Sequence, residues 1–131
     1  MLIARDTEGQ VAVLEVVVRR GEELPFHMHH REDEIVYVLA GELTYYVGQE
    51  THHATAGTCV LLPRGCEHTF SVGSESARLL VIFSPGGLEE FYREMDGDGA
   101  DGGIERLIAV AARYGVAITG PAPSGRVEGG W

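Results

Sequence analysis

The chain has 131 residues, 20 of them acidic and 10 basic, for a formal net charge of −10; this length suits one domain with a real hydrophobic core. Such a charge repels duplex nucleic acid and anionic membrane surfaces, which leaves a small molecule as the expected partner. No run nears the roughly 18 apolar residues of a membrane span, and "MLIARDTEGQ" lacks a basic segment leading into an apolar one, so the expected location is cytoplasmic.

In chain order, "VAVLEVVVR" (Val11 to Arg19) comes first, and its β-branched residues, closed by Gly21, predict a strand. The run is too apolar for one face to lie in water, which predicts that one side packs on a second subunit in a homodimer. Further short strands are predicted over Glu34 to Leu39, Glu42 to Val47, Thr58 to Leu62, His68 to Val72 and Ala77 to Phe83, each bounded by glycine, proline or small polar residues. With no helix between them, these strands predict an all-β antiparallel sandwich or barrel. Cys59 and Cys66 form no CxxC pair and read as reduced thiols.

Beyond Phe83 the texture changes. "SPGGLEEFYREM" sets Leu88, Phe91, Tyr92 and Met95 at helical spacing, and "IERLIAVAARY" (Ile104 to Tyr114) puts Ile104, Leu107, Ile108 and Ala111 on one face with Gly115 as C-cap. Between these two predicted helices, "DGDGADGG" (Asp96 to Gly103) lacks the ligand register of an EF-hand loop and reads as a flexible linker. The Pro/Gly-rich "PAPSGRVEGGW" reads as a loose tail. Residues 1–86 are thus expected to form the barrel, and residues 87–131 a helical extension of the same domain.

The chemistry is concentrated in "PFHMHHREDEIVYVLAG" (Pro25 to Gly41). Side chains two apart on a strand share a face, so His27 and His29 project together while Met28 and His30 point the other way. Glu34 follows a polar stretch, and His68 opens "HTFSV". Three imidazoles and one carboxylate suit one divalent transition metal ion such as Fe, Ni, Mn, Co or Zn. With a single anionic ligand such an ion keeps positive charge that can polarise a bound oxygen. Parity sets His30 aside as a ligand, and the polar turn "QETHHAT" sets aside His52 and His53. On spacing alone, a polar rim that holds no metal remains open.

Two motifs resemble the signatures of the cupin superfamily. The first runs glycine, five residues, His-x-His, four residues, glutamate, six residues, glycine, and "GEELPFHMHHREDEIVYVLAG" fills it with Gly21, His27, His29, Glu34 and Gly41. The second is met by Gly57, Pro63, Gly65 and His68 in "GTCVLLPRGCEHTFS", although Ser71 or Val72 stands where the pattern closes on asparagine. The resemblance implies a cupin jelly-roll barrel of short antiparallel strands, with His27, His29, Glu34 and His68 converging on a metal inside it. "FSPGGLEEFYREM" with "LIAVAARYGVAITGP" resembles the C-terminal extension of single-domain, quercetinase-like cupins.

The expected function is a metal-dependent dioxygenase for a small apolar enol or flavonol-like substrate, with Glu34 as both metal ligand and general base. Inward parity predicts a pocket lined by Val36, Val38, Tyr45, Phe70 and Phe83, joined by Cys66 through its parity with His68 and by Phe91 from the first helix. Two alternatives stand beside it: a metal-dependent isomerase, cyclase or lyase that uses no oxygen, and a non-catalytic small-molecule binder. No helix-turn-helix or basic patch suggests a DNA-binding regulator.

Overall fold

The computed structural model describes residues 2–97 and 103–123. A 3-10 turn (Ala4–Thr7) precedes β1 (Ala12–Arg19), β2 (Phe26–His29), β3 (Asp33–Ala40), β4 (Glu42–Val47), β5 (Glu50–Thr55), β6 (Cys59–Leu62), β7 (His68–Val72) and β8 (Ser76–Ser84). Then come α1 (Glu89–Gly97), α2 (Gly103–Arg113) and β9 (Val116–Gly120).

The strands form two antiparallel sheets, one ordered β1-β8-β3-β6 and the other β5-β4-β7-β2-β9. Burial alternates most plainly along β8, where Ala77, Leu79, Val81 and Phe83 point in. They meet Val36 and Val38 of β3 and, from the other sheet, Leu43, Tyr45, Phe70 and Val72, giving one core between two layers. Each large apolar side chain so buried contributes about 1.5–3 kcal/mol. This is the all-β jelly-roll architecture expected, with two helices at its C-terminal end.

Glycine is required at the β3–β4 turn. Gly41 has φ +93°, and a Cβ there would stand 2.6 Å from the Ser76 carbonyl oxygen and 2.8 Å from Ala77 Cα. The last glycine of the first motif is therefore a steric necessity.

Two strands depart from the sequence reading. "QETHHAT" is not a turn: it carries edge strand β5, which pairs with β4 from Glu42↔Thr55 to Val47↔Glu50. Only Ala54 points inward from it, so no apolar period announces it. The stretch after α2 returns as β9 and adds itself to β2. Strand β2 carries His27 and His29, as their shared strand face implied. Helix α1 runs through Asp96 to Gly97 and α2 starts at Gly103, which narrows the expected linker to residues 98–102, outside the described residues. The reading of a loose tail falls mostly on residues 124–131, also outside them. No described helix is long and apolar enough to cross a membrane.

Candidate metal centre

Strand pairing does most of the assembly. His27 of β2 lies directly opposite His68 of β7 in the ladder, and His29 follows two residues later on the same inward face. Their ring centroids are 4.4 Å apart for His27 and His68, 5.2 Å for His27 and His29, and 5.1 Å for His29 and His68. One nitrogen from each of the three lies within 4.8 Å of the others, an arrangement that could hold a metal ion. Glu34 comes from β3 in the opposite sheet, and its Oε1 stands 3.1 Å from His29 Nε2 and 3.6 Å from His68 Nε2. All four side chains are buried.

The hydrogen bonds show which nitrogens are free. His27 Nδ1–H donates to the Pro25 carbonyl at 2.8 Å, and His68 Nδ1–H to the Cys66 carbonyl at 3.1 Å, which fixes both rings with Nε2 as the lone-pair nitrogen. His29 Nε2 and His68 Nε2 are buried without a hydrogen-bond partner, so the 3.1 Å approach to Glu34 is a close contact off the line of a hydrogen bond. Two donors about 2.1 Å from one ion stand about 3.0–3.4 Å apart, close to the 3.1 and 3.6 Å that separate Glu34 Oε1 from the nitrogens of His29 and His68. Orphaned inward nitrogens, backbone-fixed tautomers and a nearby carboxylate therefore fit a divalent cation.

Electrostatics point the same way. Burial, then repulsion from His68, pushes His27 down to about 4, so the ring is neutral and able to ligate at neutral pH. Burial by itself would raise Glu34, but the nitrogens of His29 and His68 beside it prevail and hold its carboxyl well below the usual range. A neutral His27 thus stands near an ionised Glu34.

The cupin domain profile matches residues 14–83, more than half of the chain. The chain belongs to the cupin family. Among curated relatives it is 41% identical to Uncharacterized protein SCO3923 of Streptomyces coelicolor over 56 residues, 43% of this chain and 53% of that one. It is 25% identical to quercetin 2,3-dioxygenase of Bacillus subtilis over 110 residues, 84% of this chain and 32% of that enzyme. The cupin therefore spans about a half and a third of these two relatives. KdgF from Halomonas sp. shares its fold with a TM-score of 0.59 at 22% identity, over 63% of this chain and 74% of that one.

Two cavities of about 160 Å³ each flank His27 in this cupin, and both are lined by Leu24 and Tyr92. The first lies between the sheets, where Val16, Val18, Leu79 and Val81 surround His27, Glu34 and His68, with Tyr45 and Phe70 on its wall. The second lies behind His27 and His29 under the helices, walled by Phe91, Met95, Leu107, Val116 and Ile118. The other expected pocket residues are placed elsewhere. Val36 and Val38 lie in the packed core, Phe83 is buried with its ring 5.9 Å from His29, and Cys66 sits half-buried in the turn before β7 beside Gly48. His30, His52 and His53 are exposed, and His52 Nε2 meets Glu50 Oε1 at 3.0 Å.

The sequence reading passed over Leu24 and Glu32, and named Tyr92 only for its helical spacing. Glu32 is 5% exposed, its Oε1 has no hydrogen-bond partner, and burial raises its carboxyl against the attraction of His29, Arg31 and Arg64. Its signal was available, since Glu32 stands two residues before Glu34 and shares its parity.

Proposed function

We propose that this cupin is a metal-dependent enzyme for a small, largely apolar substrate carrying an enol or carbonyl oxygen, and that its reaction is an oxygen-dependent dioxygenation of flavonol type. The observation that carries this reading is the convergence of three buried imidazoles and one ionised carboxylate on the wall of an apolar cavity. The similarity to quercetin 2,3-dioxygenase over most of the chain supports it.

His27, His29 and His68 would hold the ion through Nε2, with Glu34 as the anionic ligand. Bound there, a divalent cation supplies the positive charge that favours the ionised form of an enol oxygen. The chain's own groups bind, orient and move the proton. Glu34 accepts it as general base, because loss of its contacts to His29 and His68 leaves burial in command and lifts the carboxyl toward the useful range. Tyr45 stays protonated, held above the ordinary phenol range by burial and then by the Glu34 charge, so its O–H is available as a donor in an otherwise greasy wall. A cavity of about 150 Å³ accommodates one benzene ring, so the two cavities on either side of His27 suit a ligand with two ring-sized apolar arms.

The deciding experiment loads the protein separately with Fe, Ni, Mn, Co and Zn and follows oxygen uptake against a panel of flavonols and 1,3-diketones. One oxygen consumed per substrate is the expected result. Turnover under argon with zinc would move the reading to a non-redox isomerase, cyclase or lyase. Tight binding without turnover in any metal form would make the site a binder.

A further inference from the structure

Three side chains line both of the cavities that flank the candidate metal centre: Leu24, His27 and Tyr92. A side chain that lines two neighbouring cavities is part of the wall between them, so this wall is a single side chain thick. Each space holds about 160 Å³, and an apolar cavity of about 150 Å³ takes one benzene ring.

Two of the three wall residues are held by the barrel. The Leu24 carbonyl accepts from Thr69 Oγ1–H at 2.6 Å, and the preceding Glu23 carboxylate accepts the N–H of Gly21 at 3.0 Å and of Val72 at 3.1 Å. His27 is fixed through Nδ1–H to the Pro25 carbonyl. Tyr92 comes instead from helix α1. Its ring centroid lies 6.0 Å from that of Phe83 on β8 and 5.5 Å from that of Phe91, which sets the ring against the barrel. The helix is tied down on both sides of it. Glu89 accepts the N–H of Ala4 at 2.7 Å and of Gly87 at 2.6 Å, and Glu94 accepts the Tyr114 hydroxyl at 2.9 Å. Exchanging the side chain at position 92 therefore alters the wall while the helix keeps its anchors.

We propose that Tyr92 is the specificity-determining residue of this site: its ring keeps the two spaces apart, so that each takes a single ring. The ligand class is then a pair of single-ring arms on either side of an enol- or carbonyl-bearing centre that lies beside His27, and an arm of two fused rings is refused. The placement of the oxygen rests on the metal-dependent reading of the site, whereas the partition rests on the cavities alone.

The experiment compares the full chain with Tyr92→Ala and Tyr92→Phe. Without metal, headspace partition should show wild type and Tyr92→Phe binding toluene but not naphthalene, whose fused rings outgrow either space. Tyr92→Ala, with its spaces joined, should take up naphthalene, a gain that no damage to the fold would produce. With zinc bound, titration with dibenzoylmethane, one ring on each arm, and with naphthoylacetone, both rings on one arm, reads the selectivity of the loaded site. Wild type should favour dibenzoylmethane about 10–100-fold, the effect of burying one more ring, and Tyr92→Ala should lose that preference. Naphthalene binding that is the same in wild type and Tyr92→Ala, or a diketone preference unchanged in Tyr92→Ala, would overturn the proposal. Should the zinc form bind neither diketone, the metal-dependent reading fails, and the hydrocarbons alone decide the role of Tyr92. Should Tyr92→Ala fail to fold, Tyr92→Leu, which keeps an apolar helix face without the ring, carries the same comparison.

Discussion

His68 is the one imidazole of the cluster that β2 does not supply, so removing it empties a corner of the site without disturbing the His27–His29 pair. His68→Ala should lose its bound metal, by elemental analysis, while circular dichroism and the metal-free melting curve stay near wild type, because the ring lines a cavity. Full metal occupancy in that variant would reject the ligand set. Acid should act through His27 and Glu34 in the metal-free protein. His27 is pushed down to about 4 from 6.5, so the unfolded chain takes up its proton first and stability falls as pH drops from 6.5 towards 4. The largest loss from this group is on the order of 3 kcal/mol. Glu34, held below its ordinary range, contributes stability that is present above that range and lost as the pH falls through and below it, so the two effects add. Melting temperatures from pH 7.5 to 4.5 measure this, and a flat profile would contradict it.

At the scale of elements, the turn glycines separate strain from collision. A Cβ on Gly41 meets the backbone of Ser76 and Ala77 at 2.6–2.8 Å, whereas one on Gly65 (φ +76°) meets nothing within 4 Å. Gly41→Ala should therefore cost about 2–5 kcal/mol, left-handed strain plus overpacking, and Gly65→Ala about 1–2 kcal/mol. Denaturant titration compares them, and equal losses would refute the steric account. The same contrast explains what could be read in advance. Strands with a buried apolar face, such as β4 and β7, are legible residue for residue, from Glu42 to Val47 and from His68 to Val72. Strand β5 is not, because its ladder to β4 is made by backbone groups and its exposed side chains carry no period. Nor is β9, whose strand identity comes from pairing with β2.

At the scale of the molecule, the outer face of the β1-β8-β3-β6 sheet carries Val13, Ile82, Ile35 and Leu61 in register across all four strands. Leu61 is 58% exposed, and Val17 and Tyr37 are also exposed on this face. A continuous apolar row on a chain of charge −10 favours association with a second copy, and we propose that the homodimer forms here. Leu61→Glu should sediment as a monomer at micromolar concentration, with its secondary structure and metal content kept, while the wild type sediments as a dimer. A monomeric wild type would remove this proposal.

The amino-acid sequence by itself determined the all-β class, the closing helices, the family motifs and the four candidate ligands, because strand period and ligand spacing are local properties of a chain. Tertiary structure alone decided that His27 faces His68 across a ladder and that Glu34 reaches them from the opposite sheet. It also decided that apolar cavities flank His27 on both sides, one between the sheets and one under the helices. Those facts depend on strand register and sheet packing between residues distant in sequence, which no local pattern encodes.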